Sequence, residues 1–571
     1  MSRKTGETWG IPVSLRYLAI EVGEIMRIDD AGRRGFLKKA GIVVPGLALA
    51  GEIPTSAAKS AAEMGHPATG LVYDVRAFGA TGDGKTIDSP AINRAIDEAA
   101  AAGGGTVYFW AGNYLCYSIH LKSRVTIHLE AGATIVAADP SSAASDSGHS
   151  YDLAESNQPW ENYQDYGHNH WHNSLIWGEG IDGVSIGGPG LIWGKGLSRG
   201  WGAGPVAEHA GVANKAIALK NCRNVILRDF SILHGGHFGI LATGVDNLTI
   251  DNLKIDTNRD GMDIDCCRNV RIANCSVNSP WDDGICLKSS FALGYARATE
   301  MVTISNCLVA GNYEEGALLD GTFKKFAADA KVPRTGRIKF GTESNGGFQN
   351  IAISNCVFEG CGGLAIESVD GAVIEDVSVT NVTMRDIAGA PIFMRLGARM
   401  RGPAGAAVGA LRRVILSNIT CSCGSYSSER GARIGSILAG IPGHPIEDVK
   451  MSDIMIVHPG GGTKEDAQRE LVENEKEYPE PNMFGTTPAH GFFIRHARGV
   501  ELAGIKIEHV GEDLRPAFVV EDVEGADFGR IKVQVTAGVP AFALKNVRDF
   551  SVYRSKPVPD TNLASADKQE I

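Results

Sequence analysis

From residue 124 onward the chain repeats one short alternation of apolar and polar positions, x-Val-x-Ile-x-Asn-x. It reads Arg124-Val-Thr-Ile, Gly183-Val-Ser-Ile, Asn224-Val-Ile-Leu, Asn247-Leu-Thr-Ile and Asn269-Val-Arg-Ile. It continues as Met301-Val-Thr-Ile, Asn350-Ile-Ala-Ile, Asp376-Val-Ser-Val, Arg413-Val-Ile-Leu, Asp448-Val-Lys-Met and Gly499-Val-Glu-Leu. A period of two is the strand signature. The tightest spacings, 23 and 22 residues, separate Asn224, Asn247 and Asn269. Longer gaps imply loops inserted between repeats.

A second strand is expected after each of the first. Its members read Phe238-Gly-Ile-Leu-Ala, Asp260-Gly-Met-Asp-Ile, Asp283-Gly-Ile-Cys-Leu and Glu315-Gly-Ala-Leu-Leu. Gly336-Arg-Ile-Lys-Phe, Gly362-Gly-Leu-Ala-Ile, Pro391-Ile-Phe-Met, His490-Gly-Phe-Phe-Ile, Pro516-Ala-Phe-Val-Val and Pro540-Ala-Phe-Ala-Leu follow. Two or three short strands per turn of roughly 22 residues, with Gly and Asn at the corners, predict an all-β chain wound as a right-handed parallel β-helix. Gly and Asn suit such corners because they tolerate positive φ.

Asn252, Asn274, Asn306, Asn355, Asn381 and Asn418 hold one place in successive repeats, which predicts a stacked amide ladder. Cys275, Cys307 and Cys356 follow three of them and should point inward as small apolar fillers. Residues 88–102 predict an amphipathic helix over the N-terminal end. Ser89 is its expected N-cap, Pro90 takes the first turn, and Ile92, Ala95, Ile96 and Ala99 form the apolar stripe. The polar segment 556–571 reads as a loose tail.

Composition adds three constraints. The 71 glycines in 571 residues are a marked excess without a three-residue period, which excludes collagen and fits many tight corners. With 43% hydrophobic and 21% charged residues the chain can build a core. A net charge of −11 argues against a nucleic-acid partner, and no apolar run is long enough to span a membrane. Eleven cysteines are too few for a disulfide scaffold at this length.

The first 50 residues read as an address. Gly32-Arg33-Arg34-Gly35-Phe36-Leu37-Lys38 is a twin-arginine signature, followed by a mildly apolar Ala40–Ala50 and the small-residue site Ala48-Leu49-Ala50. Met26 is a more natural start than Met1. The expected organisation is an extension with signal peptide (1–50), a linker (51–70), a β-helix (71–555) and the tail (556–571). The twin-arginine route exports folded proteins, so a periplasmic or secreted monomer is expected.

Equivalent places in adjacent turns lie about 4.8 Å apart along the axis. Asp260 and Asp283 share one such place, and Glu315 is expected to take it in the next repeat. Asp282 precedes Asp283 and points elsewhere. Arg337 and Lys339 should project outward one turn further on. Carboxylates stacked this closely raise at least one pKa, and a protonated carboxyl beside ionised ones is what acid–base hydrolysis requires. A second column, Asp265, Lys288, Asp320, Glu367 and Arg395, mixes signs and reads as mainly structural pairing, Lys288 being the exception closest to the chemistry. Residues 150–205 form an insertion rich in aromatics and histidine, with Trp160, Tyr163, Tyr166, His168, His170, Trp171 and His172 placed to wall a cleft. The histidine spacing is a weak metal signal, and neither metal nor cofactor is called for. His237, one turn before Asp260, is a subsite candidate.

Asn258-Arg-Asp260-Gly, then Asp282-Asp283-Gly-Ile-Cys-Leu-Lys288, then Arg337-Ile-Lys339 resemble the ordered motifs of glycoside hydrolase family 28, the polygalacturonases. The resemblance begins at Tyr73-Asp-Val-Arg-Ala-Phe-Gly-Ala-Thr-Gly-Asp-Gly-Lys85, a block shared with pectate lyase-like β-helices, and runs to about residue 460. Two places depart from the family. Its Asn-Thr-Asp reads Asn258-Arg259-Asp260, and Glu314-Glu315-Gly316 stands where it has Gly-His-Gly. Rhamnogalacturonan hydrolases of the same family also lack that histidine.

The resemblance implies hydrolysis with inversion. Asp282 resembles the general acid, and Asp260 with Asp283 the pair that holds and deprotonates water. Arg337 and Lys339 resemble the residues that bind a uronate carboxylate beside the cleaved bond, and Asn258 a hydrogen-bonder to sugar. Glu315, Lys288 and His237 complete the substrate-binding candidates. The expected activity is an exported glycosidase of pectic, uronate-containing poly- or oligosaccharide, with exo attack favoured by the large insertion. The alternatives are a rhamnogalacturonan hydrolase, a pectate lyase-like β-eliminase and a non-catalytic carbohydrate-binding β-helix.

Overall fold

The computed structural model describes residues 71–140, 150–165, 167–200, 208–424 and 433–571. The twin-arginine segment, the linker and Tyr166 lie outside the described residues. The rest winds as the predicted parallel β-helix. One full turn consists of Asp260–Asp265, Arg268–Ala273 and Ser276–Asn278, and the next of Ile285–Ser289, Thr299–Ser305 and Leu308–Ala310. Strands of successive turns pair in parallel, with Asp246 opposite Arg268 and Arg268 opposite Glu300.

The alternation in the sequence decides which side chains enter the coil. Met262, Ile285, Ile338, Leu364 and Ile392 lie opposite one another along the stack and are buried in its interior. Their neighbours Asp263, Lys288, Lys339 and Glu367 point to the outer face of the same sheet.

Corners form where the backbone turns left-handed. The residue before each repeated Val or Leu has positive φ, as at Arg124 (63°), Asn224 (55°), Asn247 (59°), Asn269 (55°) and Asp448 (52°). The expected asparagine ladder is present as a second such row. Asn306 donates to Asn274 (3.3 Å), Asn355 to Asn306 (3.3 Å), Asn381 to Asn355 (3.1 Å) and Asn418 to Asn381 (3.3 Å). At its N-terminal end Asn274 and Asn252 donate to Asp251 and Asp229. Cys275, Cys307 and Cys356 are buried, and all eleven cysteines are free thiols.

The cap helix spans Ser89–Ala101 and buries Ile92, Ala95, Ile96 and Ala99 as expected. Ser89 is not its cap. It is the first helical residue, and its hydroxyl accepts the Tyr117 N–H at 3.2 Å. Asp88 precedes the helix, with its carboxylate turned away to the N–H groups of Thr81 and Gly82.

Three other expectations change. Segment 556–571 is not loose: Thr561–Glu570 is a strand running antiparallel to Phe542–Tyr553, whose backbone groups would otherwise form an open edge. Glu315-Gly-Ala-Leu-Leu is not a strand but part of the looped connection between Leu308–Ala310 and Ile338–Ser344. The strand after Ile285–Ser289 in the stack is Ile338–Ser344, so Arg337 and Lys339 belong to the turn directly beyond Asp283. Ser436–Ala439, which the sequence reading passed over, fills the stack between Ile392–Leu396 and Phe492–Ala503.

Candidate active site

The site lies on the outer face of the sheet formed by Phe238–Thr243, Asp260–Asp265, Ile285–Ser289 and Ile338–Ser344. Asp260 opens its strand, and Asp283 stands two residues before the next. Glycine follows each aspartate. A Cβ on Gly261 would lie 2.4 Å from the Gly284 carbonyl oxygen, so only glycine lets the two turns close at this height. The Gly261 N–H donates to the Asp283 carbonyl at 2.9 Å, which sets the two acids in adjacent layers.

Asp260, Asp282 and Asp283 each place a carboxylate oxygen within 4.8 Å of the other two. Asp260 and Asp283 are buried, whereas the Asp282 side chain keeps 26% of its exposure and is the one acid of the three open to the cleft. Asp283 is held by two cations, Arg337 Nε at 2.8 Å and Lys339 Nζ at 3.3 Å. The Arg259 guanidinium lies 2.8 Å from Asp282 Oδ2.

These surroundings split the three acids. Burial, then the charges of Asp282 and Asp263, lifts the Asp260 carboxyl well above the usual carboxylate range. Burial also raises Asp282, with Asp283 reinforcing it against the opposing charge of Arg259. Burial would raise Asp283 as well, but Lys339 and Arg337 outweigh it and hold the carboxyl below its ordinary value. Asp283 is therefore ionised over the range in which its two neighbours still share protons, which is the division of states acid–base hydrolysis needs.

The other singled-out residues scatter around this centre. Lys288 is buried behind the acids, 2.9 Å from Glu343 and 3.7 Å from Asp263. His237 is buried between the Arg199 carbonyl (Nδ1, 3.0 Å) and Arg259 (Nε2, 3.2 Å). Burial, then the charge of Arg259, keeps His237 neutral, so its Nδ1–H donates and its Nε2 accepts. Asn258 is buried with its Oδ1 lacking a hydrogen-bond partner.

Glu315 does not stack beside Asp283. Its carboxylate lies 3.0 Å from His234 and 3.1 Å from Arg199, and its hydrogen bond with His234 lowers its pKa. The long loop from 311 to 337 carries it out of the stack. The mixed-sign column does not pair with itself either. Asp265 accepts from Ser290, Asp320 from Thr322, and Arg395 donates to the carbonyls of Gly440 and Glu473.

The aromatic insertion docks by polar contacts, and several of its rings pack inward. His168 Nε2 lies 2.8 Å from Asp263, His170 pairs with Glu161 at 2.8 Å and His172 with Glu179 at 2.9 Å, so the three histidines diverge. Trp171 is buried against Ala218, Phe238, Leu241 and Ala292.

One residue that sequence reading missed sits at the centre. Glu480 ion-pairs with both Arg337 and Lys339, the latter at 3.2 Å. It comes from a loop more than 140 residues further along, outside every repeat, and no pattern marked it. Beside it a cavity of about 260 Å³ opens against Asp282, lined by Trp281, Ile434 and Pro481 together with Arg334, Arg337 and Asn482.

Residues 208–330 match the model of the right-handed β-helix region, and residues 72–173 that of rhamnogalacturonase A/epimerase, pectate lyase-like. A probable polygalacturonase of Vitis vinifera is 23% identical over 333 residues, covering 54% of this chain and 60% of that protein. Mannuronan C5-epimerase AlgE1 of Azotobacter vinelandii is 40% identical over 94 residues, 16% of this chain but only 6% of the epimerase. An exopolygalacturonase structure from Thermotoga maritima superposes with a TM-score of 0.54 at 17% identity, covering 88% of this chain and 94% of that one. These matches show the right-handed β-helix fold, and a probable polygalacturonase is among the proteins the chain resembles.

Proposed function

We propose that the protein is an exported glycoside hydrolase that cleaves a glycosidic bond in pectic, uronate-containing poly- or oligosaccharide with inversion. The observation that carries this reading is the aspartate cluster, with Asp283 held ionised by Arg337 and Lys339 while Asp260 and Asp282 are pushed upward. Asp282, the acid open to the cleft, gives its proton to the leaving oxygen. Water held against Asp260 and Asp283 attacks the anomeric carbon from the opposite face and passes a proton to that pair.

The nearest oxygens of the three acids lie closer than the roughly 6.5–9.5 Å carboxyl spacing usual for inverting enzymes. In this reading the water therefore rests on the floor formed by Asp260 and Asp283, not in a gap between acid and base. Elimination on the same scaffold would ask clustered acids to hold a divalent cation. Here Arg259, Arg337 and Lys339 already take carboxylate oxygens of Asp282 and Asp283, which favours hydrolysis. The twin-arginine motif at Arg33-Arg34 supports export. Among the described residues no helix is long and apolar enough to cross a membrane.

The test is to incubate the purified protein with polygalacturonan, rhamnogalacturonan and short galacturonides. New reducing ends without absorbance near 235 nm are expected. Unsaturated products would replace hydrolysis by elimination. Binding without turnover on every polymer would leave a carbohydrate-binding β-helix.

A further inference from the structure

The place beside Asp283 where a substrate carboxylate would meet Arg337 and Lys339 is already filled by a carboxylate of the protein. Glu480 Oε1 contacts both cations. Arg337 and Lys339 are buried, and around them stand Asp283, Glu480 and, 3.8 Å from Lys339, Glu367. Two cations thus face two ionised carboxylates. The third carboxyl, Glu367, is pushed up to about 8, by burial first and with a contribution from the charge of Glu480. The cluster is neutral as it stands. A further carboxylate from a sugar would find Arg337 and Lys339 already matched by Asp283 and Glu480, and charge brought against them without its own partner is disfavoured.

The loop that delivers Glu480 is anchored on both sides. Upstream, Arg395 donates to the Glu473 carbonyl at 2.7 Å and Arg495 to that of Leu471 at 2.7 Å. The Tyr478 ring lies 5.6 Å from Lys339 Nζ and 5.5 Å from the Arg399 guanidinium. Downstream, Pro481 and Phe484 are buried, and Phe484 packs under Arg395. The cavity next to Glu480 and Asp282 is mixed in character: Trp281, Ile434 and Pro481 offer apolar surface to a sugar face, and Arg334, Thr335 and Asn482 offer polar groups to its hydroxyls.

We propose that Glu480 is a built-in counter-ion to Arg337 and Lys339, so that the subsite beside the scissile bond receives a neutral sugar. The uronate units of the substrate then lie elsewhere along the cleft. A polymer in which uronates alternate with neutral sugars fits this site, and an unbroken run of uronates does not. This inference rests on the glycosidase reading above and makes Glu480 a specificity-determining residue within it.

The test uses binding, so that it does not depend on turnover. Full-length protein carrying Asp282→Asn is titrated calorimetrically with trigalacturonate and with galactotriose, with and without Glu480→Gln. The glutamine keeps a hydrogen-bonding oxygen and removes only the charge. Glu480→Ala serves as a second variant, with thermal unfolding as the check that both fold. Removing the charge should tighten trigalacturonate on the order of tenfold or more, leave galactotriose within about twofold, and give a gain that fades at high salt. Trigalacturonate bound equally well with and without Glu480, or bound by neither form, overturns the proposal. In the active protein, cleavage of an alternating uronate–neutral polymer but not of polygalacturonan is the matching expectation. Failure to cleave any pectic polymer would refute the glycosidase reading, while the calorimetric comparison would still decide the role of Glu480.

Discussion

Arg259 lies 2.8 Å from Asp282 and 3.2 Å from His237, so one guanidinium ties the exposed acid of the cluster to a buried neutral histidine in the preceding turn. Its positive charge favours the ionised form of Asp282, yet burial and Asp283 keep that carboxyl raised. Arg259 thus sets how far the acid rises and in which direction it points.

Replacing the acid is the most direct test. Asp282→Asn should lower kcat on the best pectic substrate by about a hundredfold or more, the lower range for loss of acid–base assistance. The thermal midpoint should change little, because the side chain is partly exposed. Steady-state kinetics with near-full activity would remove Asp282 from the mechanism.

The pH profile follows from the opposed shifts. Asp283, held below its ordinary value, must be ionised, so activity should persist into acid and fall only as pH drops through that lowered pKa. Asp282 must be protonated, so activity should be lost as pH rises through a value above the usual carboxylate range. The limbs belong to the coupled cluster and not to single residues. Arg259→Leu removes the cation that touches Asp282 and should move the alkaline limb upward. An unchanged limb in kcat/KM profiles would refute this role for Arg259.

Arg337→Ala and Lys339→Ala should each reduce kcat/KM about 10–150-fold, the range for losing a charged hydrogen bond. Because these cations serve Asp283 and Glu480, the loss should be similar on neutral and uronate-bearing substrates, and the acid limb should move up as Asp283 loses its partner. A loss confined to uronate-bearing substrates, measured on matched oligosaccharides, would return these residues to reading the sugar's charge.

Stereochemistry tests the compact cluster. Proton NMR of the first product should show the anomer opposite to that of the cleaved bond. Retention would fit the short carboxylate spacing, which is nearer the roughly 5–5.5 Å of retaining pairs, and would turn one of the buried aspartates into a nucleophile.

The asparagine ladder should act on stability alone. Asn381→Ala removes one amide rung at φ 55°, where asparagine's polar side chain eases the left-handed backbone, and a lost hydrogen bond is worth about 0.5–1.5 kcal/mol. Denaturant unfolding should register a loss of that order or somewhat more, with kcat unchanged. No measurable destabilisation would mean the ladder is ornamental.

The coil itself was readable from the sequence because its physics is local. Val270 and Ile272 alternate with exposed neighbours, Asn269 marks the corner, and the 22-residue step fixes which residues stack. The same step brought Asp260 and Asp283 together on paper. What failed did so where a loop breaks the step. The pattern continued across 32 residues puts Glu315 in the stack, but the connection bulges outward and hands the place to Ile338–Ser344. Glu480 was invisible for the same reason, since a contact made by an anchored loop leaves no periodic trace. Ser89 looked like a cap, but its hydroxyl was already engaged by a distant backbone N–H.

The stacking of adjacent turns also bears on the order in which the site is made. Asp260 and Asp283 are 23 positions apart and meet once two neighbouring turns have docked, whereas Arg337 reaches Asp283 from 54 positions away and Glu480 reaches Arg337 from 143. Contacts of short sequence separation close first in quasi-one-dimensional repeat folds. In that order the mutually repelling acids meet before their neutralising partners arrive, and in that interval their repulsion favours the protonated forms. Refolding should accordingly be faster in mild acid than at neutral pH, and stopped-flow refolding with no such dependence would reject this order. On this view the assembling catalytic floor is proton-dependent before it has any substrate to act on.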